Sequence, residues 1–343
     1  MRELFEAIDN CEAGSVNMVL TVLDGEYLGE KALVSDGKLI WESNEEGFFS
    51  KYEEAVCQMQ DSGVVTIGDS RVFCDTLGQE KQLVICGGGH VSMPVIKIGI
   101  MMGWEVTVLE DRPKFADNAR RAGASHVICE PFEEGLDKVP GSSDTYFVIV
   151  TRGHRYDQTC LAKIAEKEHA YIGMIGSRRR TTLVKKLLEE QGTDKAVLDA
   201  VYTPIGLDIG AETPEEIGVA IMAEIIEVKN KKKRTFGYSK EMVRAIMDTE
   251  KYPGRKVMTT IITRKGSAPQ GIGVKMLVLA DGNCIGTIGG GCMESAVLQK
   301  ALLLLRSDDT QARICQADLT GNDAEDEGMV CGGMVDVLLE VIE

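Results

Sequence analysis

"QLVICGGGHVSMPVIKIGIMMGWEVTVLED", residues 82–111, decides the fold. It opens on a short apolar run that ends in glycines. A helical pattern follows over 91–103, and then a strand pattern over 104–111 that ends in acids. Strand, glycine turn, helix and strand make a βαβ unit. The alternation continues downstream. Helical patterns cover 113–123, 157–168, 178–192 and 211–228, and strand patterns cover 125–130, 145–153 and 170–177. In the last helix Thr213 is placed as N-cap, Pro214 suits the first turn, and Glu216 completes a capping box. Alternating short apolar strands and helices predict an α/β domain with a parallel sheet covered on both faces.

Working outward, the two ends of the chain resemble each other. "ELFEAIDNCEAGSVNMVLTVLDG" (3–25) can be laid over "EMVRAIMDTEKYPGRKVMTTIITRKG" (241–266). "GEKALVSDGKLI" (29–40) matches "GVKMLVLADGNCI" (273–285), and "SRVFCDTL" (70–77) falls where "MVDVLLEV" (334–341) falls. One small α+β domain is therefore expected twice. It is expected over 1–80 as a degenerate copy and over 240–343 as the copy that keeps its chemistry. The parallel-sheet domain lies between them over 81–228. The cationic stretch 229–239 reads as a solvated linker.

Composition narrows the function. The chain has 343 residues, 44% hydrophobic and 27% charged, which suits two or three soluble domains. A net charge of −16 excludes nucleic acid or an anionic membrane as the main partner, because polyanion binding needs a basic field. The N-terminus lacks the apolar segment of a signal peptide, and no run is long enough to span a bilayer. The 10 cysteines form no CxxC pair, so reduced cytoplasmic thiols are expected.

In "CGGGHVS" (86–92), Gly87 and Gly89 stand in a G-x-G-x-x-[G/A] frame with Ser92 at the third small position. His90 is expected in the first helical turn, close to any bound phosphate. Glu110 and Asp111 end the next strand, where a ribose-binding acid would stand. Arg112 would favour an extra phosphate. Further polar groups end other strands: Arg152, His154, Arg155, Tyr156 and Asp157 in one cluster, Ser177 with Arg178, Arg179 and Arg180 in another, and Asp208 and Glu212 in a third. Glycines admit the backbone to a phosphate, and a helix N-terminus favours the anion. NAD(P) or another phosphorylated molecule fits these residues. An NAD(P)-dependent oxidoreductase and a nucleotide-sensing protein are both readings they allow.

The C-terminal copy carries sulfur. "GTIGGGCMESAV" (286–297) runs Gly289, Gly290 and Gly291 into Cys292, with Glu294 in the first helical turn. "EGMVCGGMVDVLLEV" (327–341) sets Cys331 against Gly332. A helix N-terminus stabilises a thiolate, and thiolate suits a soft metal or carries sulfur. No paired Cys/His spacing supports zinc.

The segments "ICGGGHVSMPVIKIGIMMGWEVTVLEDRPKFA", "TRGHRYD", "YIGMIGSRRR" and "PIGLDIGAETPEEI" resemble the Rossmann-type domain of the xanthine dehydrogenase accessory factor family (XdhC/CoxI). "GSAPQGIGVKMLV", "GTIGGGCMES" and "GMVCGGMVDVLLE" resemble its cysteine-bearing domain. The resemblance implies a Rossmann-like domain flanked by two small α+β domains. It also implies a chaperone for the molybdenum cofactor, molybdopterin. Such a protein holds the cofactor while a cysteine desulfurase supplies its terminal sulfur, then inserts it into a xanthine dehydrogenase-type molybdenum hydroxylase. On that reading Gly87, Gly89, His90, Ser92, Glu110, Asp111, His154, Ser177, Arg178 and Arg179 would hold the cofactor. Gly289–Gly291 and Gly332 would join them, and Cys292, Cys331 and Glu294 would act at the metal end. The site is expected between the middle and C-terminal domains. The family's usual domain order is reversed here, so a homodimer is one way to complete the cleft.

Overall fold

A computed structural model of the chain describes residues 1–11, 15–59, 62–78, 81–231, 237–266, 270–318 and 333–343, without the side chain of Cys292. The chain divides into two compact units. Met1–Gly78 and Thr235–Glu343 form one, and Gln79–Arg234 form the other.

The first unit begins with α1 (Arg2–Asp9), β1 (Asn17–Val22), β2 (Lys31–Ser35) and β3 (Lys38–Glu42). Two short helices follow, α2 (Phe48–Lys51) and α3 (Glu53–Cys57), and then β4 (Gly63–Ile67) and β5 (Ser70–Leu77). These strands make an antiparallel sheet of order β3-β2-β1-β5-β4.

The second unit alternates as its sequence requires. It runs β6 (Gln82–Cys86), α4 (Ser92–Met101), β7 (Glu105–Leu109), α5 (Pro113–Arg121), β8 (His126–Ile128) and α6 (Phe132–Asp137). β9 (Thr145–Ile149), α7 (His154–Ala165), β10 (Tyr171–Met174), α8 (Arg178–Glu190), α9 (Lys195–Ala200) and α10 (Pro214–Lys231) complete it. The strands are all parallel, in the order β10-β9-β6-β7-β8. Beyond this sheet Tyr202 lies beside β10 through an isolated parallel bridge to Gly173, and the Ile205 N–H donates to the Met174 carbonyl. This is the Rossmann arrangement, with strand order reversing between β6 and β9. β6 and β9 are apolar after their first residues, Gln82 and Thr145, because helices cover both faces. The expected capping box forms: the Glu216 N–H donates to Thr213 Oγ1 at 3.2 Å, and the Thr213 N–H donates to Glu216 Oε2 at 3.0 Å. α10 runs on to Lys231, so the first residues of the cationic stretch 229–239 are helical.

The chain returns to the first unit with α11 (Lys240–Met247), β11 (Lys256–Lys265), β12 (Lys275–Val278), β13 (Cys284–Gly286), α12 (Gly291–Leu305), β14 (Arg313–Asp318) and β15 (Met334–Ile342). Their antiparallel sheet has the order β13-β12-β11-β15-β14, the N-terminal order repeated strand for strand. Each sheet turns one face to its own helices. Met18, Leu20 and Val22 pack on Phe48 and Phe49, while Val257 and Ile261 pack with Met293, Val297 and Ala301. The other face is shared: Val19 and Leu33 pack with α1, Met258 and Leu277 pack with α11, and Leu23 and Phe73 meet Ile262 and Leu338 of the other module. Both faces of each central strand are thus buried, and the period-2 alternation is between two cores.

Candidate functional site

In a parallel sheet every strand ends at the same edge. Gly87, Gly89, His90 and Ser92 follow β6, Glu110 and Asp111 follow β7, His154 follows β9, and Ser177, Arg178 and Arg179 follow β10. The fold therefore brings all these candidates to one carboxyl edge, and the switch point between β6 and β9 falls among them.

The glycine loop is built by contact. Gly87 has φ +118°, and a Cβ there would lie 2.5 Å from the Val150 carbonyl oxygen. A Cβ on Gly89 would meet nothing within 4 Å, so the loop is open there. The buried Ser92 hydroxyl donates to the Gly87 carbonyl at 2.5 Å and closes the turn from inside. His90 departs from expectation. The helix starts at Ser92 with Val91 as its cap, so exposed His90 sits in the preceding turn and not in the first helical turn.

The acids after β7 are already engaged. Glu110 is buried and accepts the Gly88 N–H at 2.7 Å. It also accepts from Arg112 Nε at 2.7 Å and Nη2 at 3.1 Å. Arg112, read from sequence as a cation for an extra phosphate, is thus tied to this acid and lies over the Phe115 ring, 3.8 Å from its centroid. Asp111 is held by Arg152 from the end of β9, with Nη2 2.8 Å from Oδ2. Its hydrogen bonds to Arg152 hold the Asp111 carboxyl below the usual carboxylate range, against partial desolvation. The same guanidinium bonds the Tyr156 hydroxyl and lies 4.0 Å from that ring's centroid. β9 and β7 flank β6, so this pair spans the carboxyl end of the strand that carries the glycine loop.

A second buried acid steadies the cationic helix. Asp157 accepts from Thr151 Oγ1 at 2.5 Å and pairs with Arg180. Burial pushes this carboxyl up, against the opposing pull of Thr151 and Arg180. Arg178 and Arg179, in the same turn of α8, are exposed, and neither pairs with an acid among the described residues. Ser177 heads α8 without a side-chain capping bond, and His154 opens α7, exposed. These two helix starts, with the exposed guanidinium groups of Arg178 and Arg179, give the edge its uncommitted positive groups, and His90 is exposed at the same edge.

The second candidate lies in the other unit. Gly289, Gly290 and Gly291 have φ of +134°, +71° and +62°. That run is accessible to glycine and strained for any other residue. Glu294 reaches back from the first turn of α12 and fixes the loop. Its Oε2 accepts from the Ile288 and Gly290 N–H groups, each at 3.1 Å, and from the Thr287 hydroxyl. Against the desolvation that would raise it, these donors hold the Glu294 carboxyl below its ordinary range. Glu294 thus positions the loop. Cys292 is the second residue of α12, inside the first turn. Cys331 and Gly332 lie outside the described residues. At the corresponding helix start of the N-terminal copy stand Phe48 and Phe49, both buried. The copy's chemistry has been replaced by core.

Sequence reasoning placed the acids and missed their partners. The Glu110–Arg112 and Asp111–Arg152 pairs need tertiary geometry, and Thr287 as a third donor to Glu294 needs the shape of the loop. Among the described residues no group of three or more His, Cys, Asp or Glu is placed to hold a metal ion.

Comparison with known proteins follows these two structural modules. Residues 83–225 match the XdhC Rossmann domain, and residues 253–315 match the XdhC and CoxI family. The chain is 28% identical over 193 residues to a Bacillus subtilis protein named as a probable xanthine dehydrogenase subunit, covering 54% of this chain and 56% of that one. It is 29% identical over 164 residues to the Escherichia coli protein YqeB, covering 48% of this chain and 30% of that one. The chain spans less than two thirds of either relative. A crystal structure of a xanthine dehydrogenase from Bacillus halodurans is alike in fold, with TM-score 0.54 and 24% identity over 67% of each chain.

Proposed function

This chain belongs to the XdhC and CoxI family, and on that premise we propose that it is an accessory factor in the maturation of a xanthine dehydrogenase-type molybdenum hydroxylase. It binds the molybdenum cofactor, supports its sulfuration with a cysteine desulfurase as sulfur donor, and delivers it to the hydroxylase. The Bacillus subtilis relative, named for xanthine dehydrogenase, supports the choice of client.

The observation that carries this reading is the commitment of Glu110 and Asp111 to arginines. A dinucleotide-binding loop keeps its strand-end acid for a ribose. Here that acid is buried and the Gly88 N–H is bonded to it. What remains open on the edge is the cationic pair Arg178 and Arg179, two helix starts and the exposed His90. That set fits the phosphate of a phosphorylated pterin better than the ribose of a nucleotide. Gly89 leaves room for close approach of such a phosphate.

When bound, the cofactor would supply a molybdenum centre that takes up a terminal sulfur. The chain's own residues bind and orient it. Arg178 and Arg179 hold the phosphate, and Asp157, through Arg180, fixes the turn that carries them. Glu294 fixes the glycine loop that leads into Cys292 in the first turn of α12. A helix N-terminus favours the thiolate form of such a cysteine, the form that meets a soft metal or carries sulfur.

The strand order with its glycine loop is the one observation that favours a second reading, an NAD(P)-binding oxidoreductase or nucleotide sensor. Reconstitution separates the two. A cofactor-free hydroxylase is incubated with cofactor, desulfurase and this protein, either wild type or Cys292→Ala. Restoration of hydroxylase activity by the wild type and its loss in the variant is the expected result. Equal restoration with and without the protein would refute the accessory role.

A further inference from the structure

The two copies in the first unit meet face to face, and their contact is reciprocal. Strand register fixes which residues correspond. Thr21 faces Lys31 across β1 and β2 as Thr260 faces Lys275 across β11 and β12. Val19 faces Asp75 as Met258 faces Glu340. Lys31 is thus the counterpart of Lys275, and Asp75 of Glu340. The ion pairs run crosswise between the copies: Lys31 Nζ lies 2.8 Å from Glu340 Oε1, and Lys275 pairs with Asp75. All four residues are buried.

The apolar contact obeys the same exchange. Phe73 lies opposite Thr21 as Leu338 lies opposite Thr260, and Val64 opposite Phe73 as Ile314 opposite Leu338. Phe73 and Val64 meet Leu338 and Ile314 in one cluster, with Leu23 and its counterpart Ile262. Exchanging the two modules maps each pair onto the other. That is the property of an isologous dimer interface, which is self-complementary by construction.

We infer that this sheet face of the C-terminal module is a self-association surface, and that the chain satisfies it internally. The N-terminal module stands where a second cysteine-bearing module would dock. The occupant follows from charge. Lys275 needs an acid across the interface, and a second copy's Glu340 sits at the position that Asp75 fills here. Left bare, the face would expose Ile262, Leu338 and Ile314 to water, and covered by anything without an acid it would bury Lys275 unpaired. The degenerate copy is therefore a built-in partner, and each pair of modules carries one glycine–cysteine loop.

The test uses the full chain and light-scattering mass. In Lys31→Glu/Asp75→Lys the N-terminal charges oppose Glu340 and Lys275, while the C-terminal face stays complementary to itself. The expected result is a doubling of mass relative to wild type, as two chains pair through their C-terminal modules. Reversing all four charges, with Glu340→Lys and Lys275→Glu added, restores both cross pairs. That variant is expected at the wild-type mass, with its melting temperature recovered by about 10 °C or more relative to the double variant. A double variant that keeps the wild-type mass overturns the inference. So does a fourfold variant that fails to recover.

Discussion

Removing the Glu294 carboxylate tests how the glycine loop ahead of Cys292 is held. In Glu294→Ala, the Ile288 and Gly290 N–H groups and the Thr287 hydroxyl lose their common acceptor. A hydrogen bond to a charged group contributes roughly 1.5–3 kcal/mol, but this site is partly solvated and water replaces part of the loss. The net cost is therefore about 2–4 kcal/mol, which lowers the melting temperature of the first unit by roughly 5–15 °C. The sign with pH follows from the depressed carboxyl. A group whose folded pKa lies below its unfolded value of about 4.3 contributes fully above that value. Its contribution fades as pH falls through the folded pKa. Differential scanning calorimetry of wild type and variant from pH 3 to 7 reads this directly. The gap should be widest near neutrality and should narrow as pH falls below about 4.3. Equal melting temperatures at pH 7, or a gap that does not change with pH, would refute the loop-holding role of Glu294.

Other outcomes are open to direct measurement. Gly87→Ala places a Cβ against the Val150 carbonyl at φ +118°, and should destabilise the second unit by roughly 2–4 kcal/mol in urea unfolding. Arg178→Glu with Arg179→Glu changes two exposed side chains, so melting should move little, while affinity for a phosphorylated pterin should fall about tenfold or more. Unchanged affinity would remove α8 from the binding edge. Burial, with Asp75 adding to it, pushes the Cys74 thiol up to about 12. Cys74 should therefore resist iodoacetamide at pH 8 in the folded protein, as mass mapping would reveal, and label on unfolding.

The legible parts of the fold are those that local chemistry decides. The runs around β6, β7, β9 and β10 are apolar and short, with helical periods between them, and each element forms near its pattern, though β9 ends at Ile149 and α7 starts at His154 and not at Asp157. The capping box at Thr213 and Glu216 is written in adjacent residues and forms as such. The likeness of the chain's two ends reappears as two sheets of one strand order. The short helices α6 and α9, six residues each, escape a period-based reading because they complete less than two turns. Arg112 reads as a phosphate ligand because sequence cannot show that Glu110 turns back to meet it. The Lys31–Glu340 pair joins opposite ends of the chain, so only the folded register discloses it. Of the sulfur site, the sequence supplies the glycines, the helix start and both cysteines. The structure adds the loop's conformation and the carboxylate that holds it.

The most direct measurement is calorimetric titration of the purified protein, separately with molybdopterin and with NADPH. The account predicts saturable one-site binding of molybdopterin, weakened in Arg178→Glu/Arg179→Glu, and no comparable heat with NADPH. Tight NADPH binding with no response to molybdopterin would contradict it.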